Sequence, residues 1–268
     1  MNSLTFSPSG AIVLASGLGI APALFWLWYF YRKDNYEPEP QKLIFRAFLL
    51  GMVAVVPAAA IELFVNLFLP FLRVSAQPNL ERTDIIILAV GMFLVVGPVE
   101  EIAKYLTVRT TIYKHPEFNE VMDGVIYSSS TALGFAALEN VVYIATGIMD
   151  EGFGGGLGTA AVRAILATPA HVAFSATWGY YLGMYKMRAT LGIASLSERT
   201  VWKGIIYASL MHGAWDFIIF YGSTLGYIYF VPFSIMVFLI FRSLSRRIKA
   251  AQDASPFKER SGESLSDE

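Results

Sequence analysis

Nine side chains with acid–base chemistry stand where hydrocarbon is expected. Glu62, Glu100, Glu101, Lys104, Glu139, Arg163 and Asp216, together with His171 and His212, fall inside stretches that otherwise read as membrane spans. At about 3 kcal/mol per charge on an insertion scale, seven charges facing lipid would cost on the order of 20 kcal/mol. That exceeds the roughly 5–15 kcal/mol by which a folded protein is stable. These groups must therefore face one another, a watery cavity or the interior of a bundle. Helix spacing sorts them into faces. In "PVEEIAKYL", Glu100 and Lys104 are four residues apart and Glu101 and Lys104 three, so both acids can pair with the ammonium. In "GFAALEN", Phe135 and Glu139 share a face that Ser128, Thr131 and Ala132 extend, and Asn140 adjoins it. In "HGAWD", His212 and Asp216 are four apart, so the carboxylate could orient the imidazole or act as a second ligand. Arg163 and His171 lie about two turns apart in "RAILATPAH", with Pro169 kinking the helix. Four helices each offer one polar face, and four faces meet only at a bundle centre.

This inventory points to hydrolysis by activated water. The chain has no cysteine, which removes thiolate nucleophiles, disulfides and sulfur-ligated metal. A carboxylate against a low-dielectric wall can act as general base toward water near neutral pH. Two imidazoles and a second carboxylate could hold Zn²⁺, with Glu139, His171 and His212 as candidate ligands, or could stabilise an oxyanion directly. Both arrangements fit the donor set. Taken singly, each feature also has a structural reading: a buried ion pair locking helices, or a hydrogen-bonded interhelical pair. Glu62 reads as structural or cavity-lining, and His115, beside Pro116, as solvated. A proton- or cation-coupled transporter would use the same buried charges, although no paired repeat or broken segment is visible. A retinal protein needs a lysine in its last span, and residues 225–242 contain none.

The elements that must position these groups are helices. Hydrophobic residues make up 55% of the chain and mean hydropathy is +0.53. Charged residues make up 15%, against roughly 25% in soluble domains. An all-α, polytopic membrane bundle follows. Seven candidate spans of about 20 apolar residues read as 9–31, 43–69, 84–108, 121–148, 158–187, 200–221 and 225–242. "DEGFGGGLG" (150–158) reads as a flexible connector. Residues 1–250 form one membrane-embedded domain, and 251–268 a disordered cytoplasmic tail. Sixteen of the twenty Lys and Arg cluster at 32–46, 109–114, 186–203 and from Arg242 onward, while the alternate loops carry only Arg73 and Arg82. The asymmetry predicts an outside N-terminus and a cytoplasmic C-terminus. The first basic residue is Arg32, so no cleavable signal peptide is expected. A net charge of −1 gives no field for nucleic acid. Counting residues puts Glu100 about 10 Å in depth from Glu139 and His212, a gap that tilt and the kink at Pro169 must absorb.

The ordered set "EEIAK", "GFAALEN", a lone histidine in the next apolar segment and "HGAWD" resembles the PrsW family of membrane proteases, within the wider group that includes the CAAX prenyl proteases. "YEPEP" (36–40) is similar to that family's loop after the first span, and the order matches across residues 26–220. The resemblance implies an intramembrane or juxtamembrane peptidase, of glutamate type or metal-dependent, in the cell membrane. Its expected substrate is a single-pass membrane protein such as an anti-sigma factor in a bacterial stress response. By motif, Glu100 would activate water and Glu101 support it. Glu139, His171 and His212 would complete the site, with Asp216 orienting His212. Lys104, Arg163, Asn140 and Phe135 would support them. In the CAAX branch the second motif ends in His and the last in Asn. Here they end in Glu139 and Asp216, so a prenylated substrate is not implied.

Overall fold

The computed structural model describes residues 6–68, 82–225 and 229–258, and among these every regular element is a helix. They are α1 (Pro8–Tyr31), α2 (Gln41–Phe68), α3 (Arg82–Gly91), α4 (Gly97–Thr111), α5 (Val121–Val162), α6 (Thr168–Met187), α7 (Glu198–Leu225) and α8 (Phe230–Asp253). The pattern is inverted relative to a soluble protein. Leu67, Phe68, Leu94, Ile165, Val231 and Phe238 are exposed, whereas Glu101, Lys104, Asp123 and Thr131 are fully buried. An apolar exterior of this extent fits a hydrocarbon solvent. Four helical stretches are long and apolar enough to cross a membrane: Pro8–Tyr31, Gln41–Phe68, Thr83–Thr111 and Val121–Met187. Of the two remaining expected spans, 200–221 falls within α7, and residues 230–242 of 225–242 fall within α8, with 226–228 outside the described residues.

The fourth stretch is a hairpin. Gly152, at φ 76°, is its one non-helical residue, and only glycine adopts that conformation without strain. The chain reverses there, so Gly124 lies against Gly179 and Gly183 at one end while Ile148 meets Gly156 at the other. The expected flexible connector is thus a one-residue reversal, and helix resumes at once through "FGGGLG", where Gly156 lets the two arms touch at Ile148 and Gly147. α1 packs along the outer part of this hairpin, with Ala11 and Ala15 against Val141, Ile144, Ala145 and Ile148.

α2 approaches α5 more closely still. A Cβ added at Gly134 would lie 1.8 Å from the Phe48 carbonyl oxygen. Gly134→Ala must push the two helices apart and should cost about 1–3 kcal/mol. Thermal unfolding in detergent measures that loss, and any activity that depends on Glu139 should fall with it, because α5 carries that residue.

Two wide turns precede the helices that matter most. Residues Met92–Val96 and Arg163–Ala167 follow an i→i+5 pattern, closed by the Gly97 N–H on the Met92 carbonyl and the Thr168 N–H on that of Arg163. Each is followed by a proline in the first turn of the next helix, Pro98 in α4 and Pro169 in α6. Proline lacks the N–H that the carbonyl four residues back would use, and one extra residue in the turn re-aims that carbonyl. The kink expected at Pro169 is this wide turn.

At the other end, α8 continues through Asp253, with Ala251 buried and Gln252 Nε2 donating to the Lys33 carbonyl at 2.6 Å. The tail expected from residue 251 is therefore helical at its start, and 259–268 lie outside the described residues.

Candidate active site

α4 begins at Gly97–Pro98 and delivers three groups from its first two turns into the bundle: Glu100, Glu101 and Lys104, all buried. The Lys104 ammonium lies 3.1 Å from Glu100 Oε2, 2.9 Å from Glu101 Oε1 and 3.1 Å from His171 Nδ1. Its remaining side faces the Phe135 ring at 4.3 Å, a cation–π contact from α5. Glu101 is saturated with donors. Its Oε2 accepts from Ser175 Oγ at 2.8 Å and Trp178 Nε1 at 2.9 Å, and its Oε1 faces His212 Nδ1 at 3.0 Å. Such a carboxylate holds other groups in place rather than reacting.

Glu139 comes from α5. Its Oε2 lies 2.8 Å from Arg163 Nη2 and 3.0 Å from His171 Nε2. Arg163 also donates through Nε to Asn140 Oδ1, and Asn140 Nδ2 donates to Thr168 Oγ1 at 2.9 Å. The wide turn at Arg163–Ala167 is thereby stitched to α5 just ahead of His171.

The two imidazoles have matching roles. An ammonium only donates, so His171 Nδ1 is the acceptor beside Lys104 and Nε2–H points to Glu139. His212 likewise gives Nδ1–H to Glu101, leaving Nε2 at 3.5 Å from Glu100 Oε2 and 3.6 Å from Asp216 Oδ2. Each ring is braced by a carboxylate at one nitrogen and turns the other toward Glu100. The ring centroids are 5.0 Å apart at nearly a right angle, and Phe174 stacks on His212 at 4.8 Å.

All the site residues read from the sequence meet in this cluster. Glu100, Glu101, Glu139, His171, His212 and Asp216 come together from α4, α5, α6 and α7, and Lys104, Arg163, Asn140 and Phe135 line them. The depth gap expected between Glu100 and His212 is closed. Three contributors were missed, namely Ser175, Trp178 and Phe174. Ser175 and Trp178 follow His171 by four and seven residues, a helical-face signal that was available. Glu62, expected to be structural or cavity-lining, has its Oε1 buried without a hydrogen-bond partner, within electrostatic reach of Glu100, Glu139, His212 and Asp216.

Donor atoms of Glu100, His171 and His212 converge here, all within 4.8 Å of one another. This trio shares both imidazoles with the ligand set expected from the sequence and has Glu100 where that set has Glu139. Glu139 is engaged with Arg163 and His171 instead. One carboxylate with two imidazoles, each imidazole oriented by a second carboxylate, is a zinc-type donor set, in which the Lys104 ammonium would have to leave His171 Nδ1 and Glu100 Oε2 for an ion to bind them.

Comparison with known proteins identifies the family. The model of the PrsW family intramembrane metalloprotease matches residues 39–242. The chain is 34% identical to a Protease PrsW of Bacillus subtilis (strain 168) over 232 residues, 87% of this chain and 93% of that one. It is 32% identical to a Protease PrsW of Geobacillus kaustophilus (strain HTA426) over 211 residues, 78% of this chain and 81% of the relative. No solved structure matches it significantly. With the family model covering most of its length and acids and imidazoles gathered inside an apolar bundle, the chain belongs to the PrsW family of intramembrane metalloproteases and is a peptidase.

Proposed function

We propose that the chain hydrolyses a peptide bond of a single-pass membrane protein, such as a membrane-anchored anti-sigma factor, with water activated beside Glu100. The observation that carries this reading is the convergence of Glu100, His171 and His212 from three helices onto one buried point. The contacts of Glu100 with Lys104, His171 and His212 all run through Oε2. Oε1 is then the atom that takes a proton from water as the oxygen attacks the scissile carbonyl. Lys104, beside it, offers positive charge to the developing oxyanion. Glu139 and Glu101 keep the imidazoles turned inward, and Arg163 keeps Glu139 in position. Zn²⁺ held by Glu100, His171 and His212 would add Lewis-acid polarisation of water and carbonyl. A transporter would use the same charges as a relay, and the family match gives it no support.

The reading takes the N-terminus as outside and the C-terminus as cytoplasmic, with seven crossings of the cell membrane, on the strength of the Lys and Arg asymmetry. The test uses purified protein in vesicles with a single-pass substrate, before and after a strong chelator. Cleavage that survives in Glu100→Gln, Glu139→Gln and His212→Ala alike would end the proposal. Loss on chelation, restored by Zn²⁺, assigns the metal, whereas indifference to chelation assigns a metal-free glutamate mechanism. Because Glu139 acts by orienting His171, Glu139→Gln should lower activity about 10–100-fold, as outer carboxylates around metal ligands do. A titration of metal against activity should show weaker loading in that variant.

A further inference from the structure

A second group of acids lies away from the site, where the α1–α2 loop meets the start of α5. Asp34, Glu37 and Glu39 come from the loop, whose Pro38 and Pro40 stiffen it, and Glu120 and Asp123 from the first turn of α5. Along α5, Asp123 is separated from Glu139 by sixteen residues, roughly 24 Å at 1.5 Å per residue. These acids are hidden: Asp34 is 4% exposed, Glu39 1%, and Glu120 and Asp123 0%. Oxygens of Asp34, Glu120 and Asp123 lie within 4.8 Å of one another, as do those of Glu37, Glu39 and Asp123. Asp123 thus joins the two halves.

Burial of so many carboxylates calls for compensating charge, and little is at hand: Lys186 lies within electrostatic reach of Asp123 and Glu39. No Lys or Arg forms an ion pair with any of the five among the described residues. The nearby Lys186 ammonium is held by the carbonyls of Tyr113 at 2.6 Å and His115 at 3.2 Å, and Lys33 lies over the Tyr29 ring. Meanwhile both oxygens of Asp34, with Glu37 Oε2, Glu39 Oε1 and Asp123 Oδ1, are buried without a hydrogen-bond partner. The opposite oxygens are anchored. Asp123 Oδ2 accepts from the N–H groups of Asn119 at 2.5 Å and Glu120 at 2.7 Å, Glu39 Oε2 from the Tyr127 hydroxyl, and Glu37 Oε1 from Asn119 Nδ2 at 3.4 Å. In Glu37, Glu39 and Asp123 one oxygen is fixed and the other left open, and in Asp34 and Glu120 both are open. Burial, reinforced by the charges of Glu120 and Asp123, pushes the Asp34 carboxyl up to about 8. Burial likewise pushes Glu39 up to about 7. Both shifts show a negative charge that burial and the neighbouring carboxylates disfavour and that a bound cation would stabilise.

We propose that Asp34, Glu37, Glu39, Glu120 and Asp123 bind a hard divalent cation, Ca²⁺ or Mg²⁺, that clamps the α1–α2 loop onto the start of α5. The donors are oxygen only, which selects hard ions over Zn²⁺. The inference is independent of the catalytic proposal, since no residue is shared between the two sites.

The test uses full-length protein in detergent, stripped with chelator and reloaded. Ca²⁺ or Mg²⁺ at a hundredfold excess over its Kd should raise the unfolding temperature by roughly 5–10 °C. Tb³⁺ should luminesce when excited through Tyr127, and whichever of Ca²⁺ and Mg²⁺ displaces it at lower concentration is the ion. Both responses should persist in Glu100→Gln, which separates them from the catalytic centre, and shrink at least tenfold in affinity in Asp34→Asn. Should Asp34→Asn fail to fold, Glu37→Gln, at the more exposed rim, reads the same loss through Tb³⁺ affinity. No luminescence and no thermal response to either ion would overturn the proposal, because the cluster would then be held by protons alone. An undiminished response in the Asp34 or Glu37 variant would overturn it equally.

Discussion

Glu100→Gln protein is expected to fold as the parent does and to cleave its substrate about 10²–10⁴-fold more slowly, the range over which a positioned base accelerates proton transfer. The amide keeps the size and shape of the carboxylate, and Lys104 retains its 2.9 Å contact with Glu101. Gel filtration and thermal unfolding should therefore be close to normal while turnover is almost gone. The contrast with Glu139→Gln is informative. Glu139 touches His171 and Arg163, and its loss loosens one imidazole without removing the base. A ranking in which Glu139→Gln proved as severe as Glu100→Gln would move the base from α4 to α5.

How much of this was legible in the sequence follows from what membranes penalise. Each acid, imidazole and cation of the cluster stood out because a charge in hydrocarbon is costly, and local spacing then paired Glu100 and Glu101 with Lys104, as the structure has them. Neutral residues incur no such penalty, so Ser175 and Trp178 passed unnoticed although both hydrogen-bond to Glu101. Spacing also captures only neighbours on one helix. It singled out Asp216 as the group orienting His212, and Asp216 Oδ2 does lie at 3.6 Å. The shorter contact of that ring is to Glu101, at 3.0 Å and 111 positions away. Depth counting assumed uniform helices and so missed the two wide turns. The glycine-rich run at 150–158 looked like a loop because composition does not distinguish glycine used for freedom from glycine used for close packing. Of its five glycines, Gly152 alone departs from helix.

Lys104→Met should be the most damaging single change to the fold. The lysine is fully buried and is the cation beside both Glu100 and Glu101. Removing one partner of a buried pair leaves uncompensated charge and costs about 3–5 kcal/mol, a large part of the stability of most domains. Expression should fall and the unfolding temperature drop, with little correctly folded protein recovered. Adding Glu101→Gln should restore part of the loss, since the amide no longer needs a counter-charge. A Lys104→Met protein as stable as the parent would mean that the two acids already share a proton.

The wide turn at Met92–Val96 acts as a vernier in its helix. One residue accounts for about 100° of rotation, so deleting a single residue there would swing α3 by more than a quarter circle while leaving Glu100 and Lys104 undisturbed. The length of this one turn therefore sets which face α3 turns toward its neighbours independently of the acids that follow it.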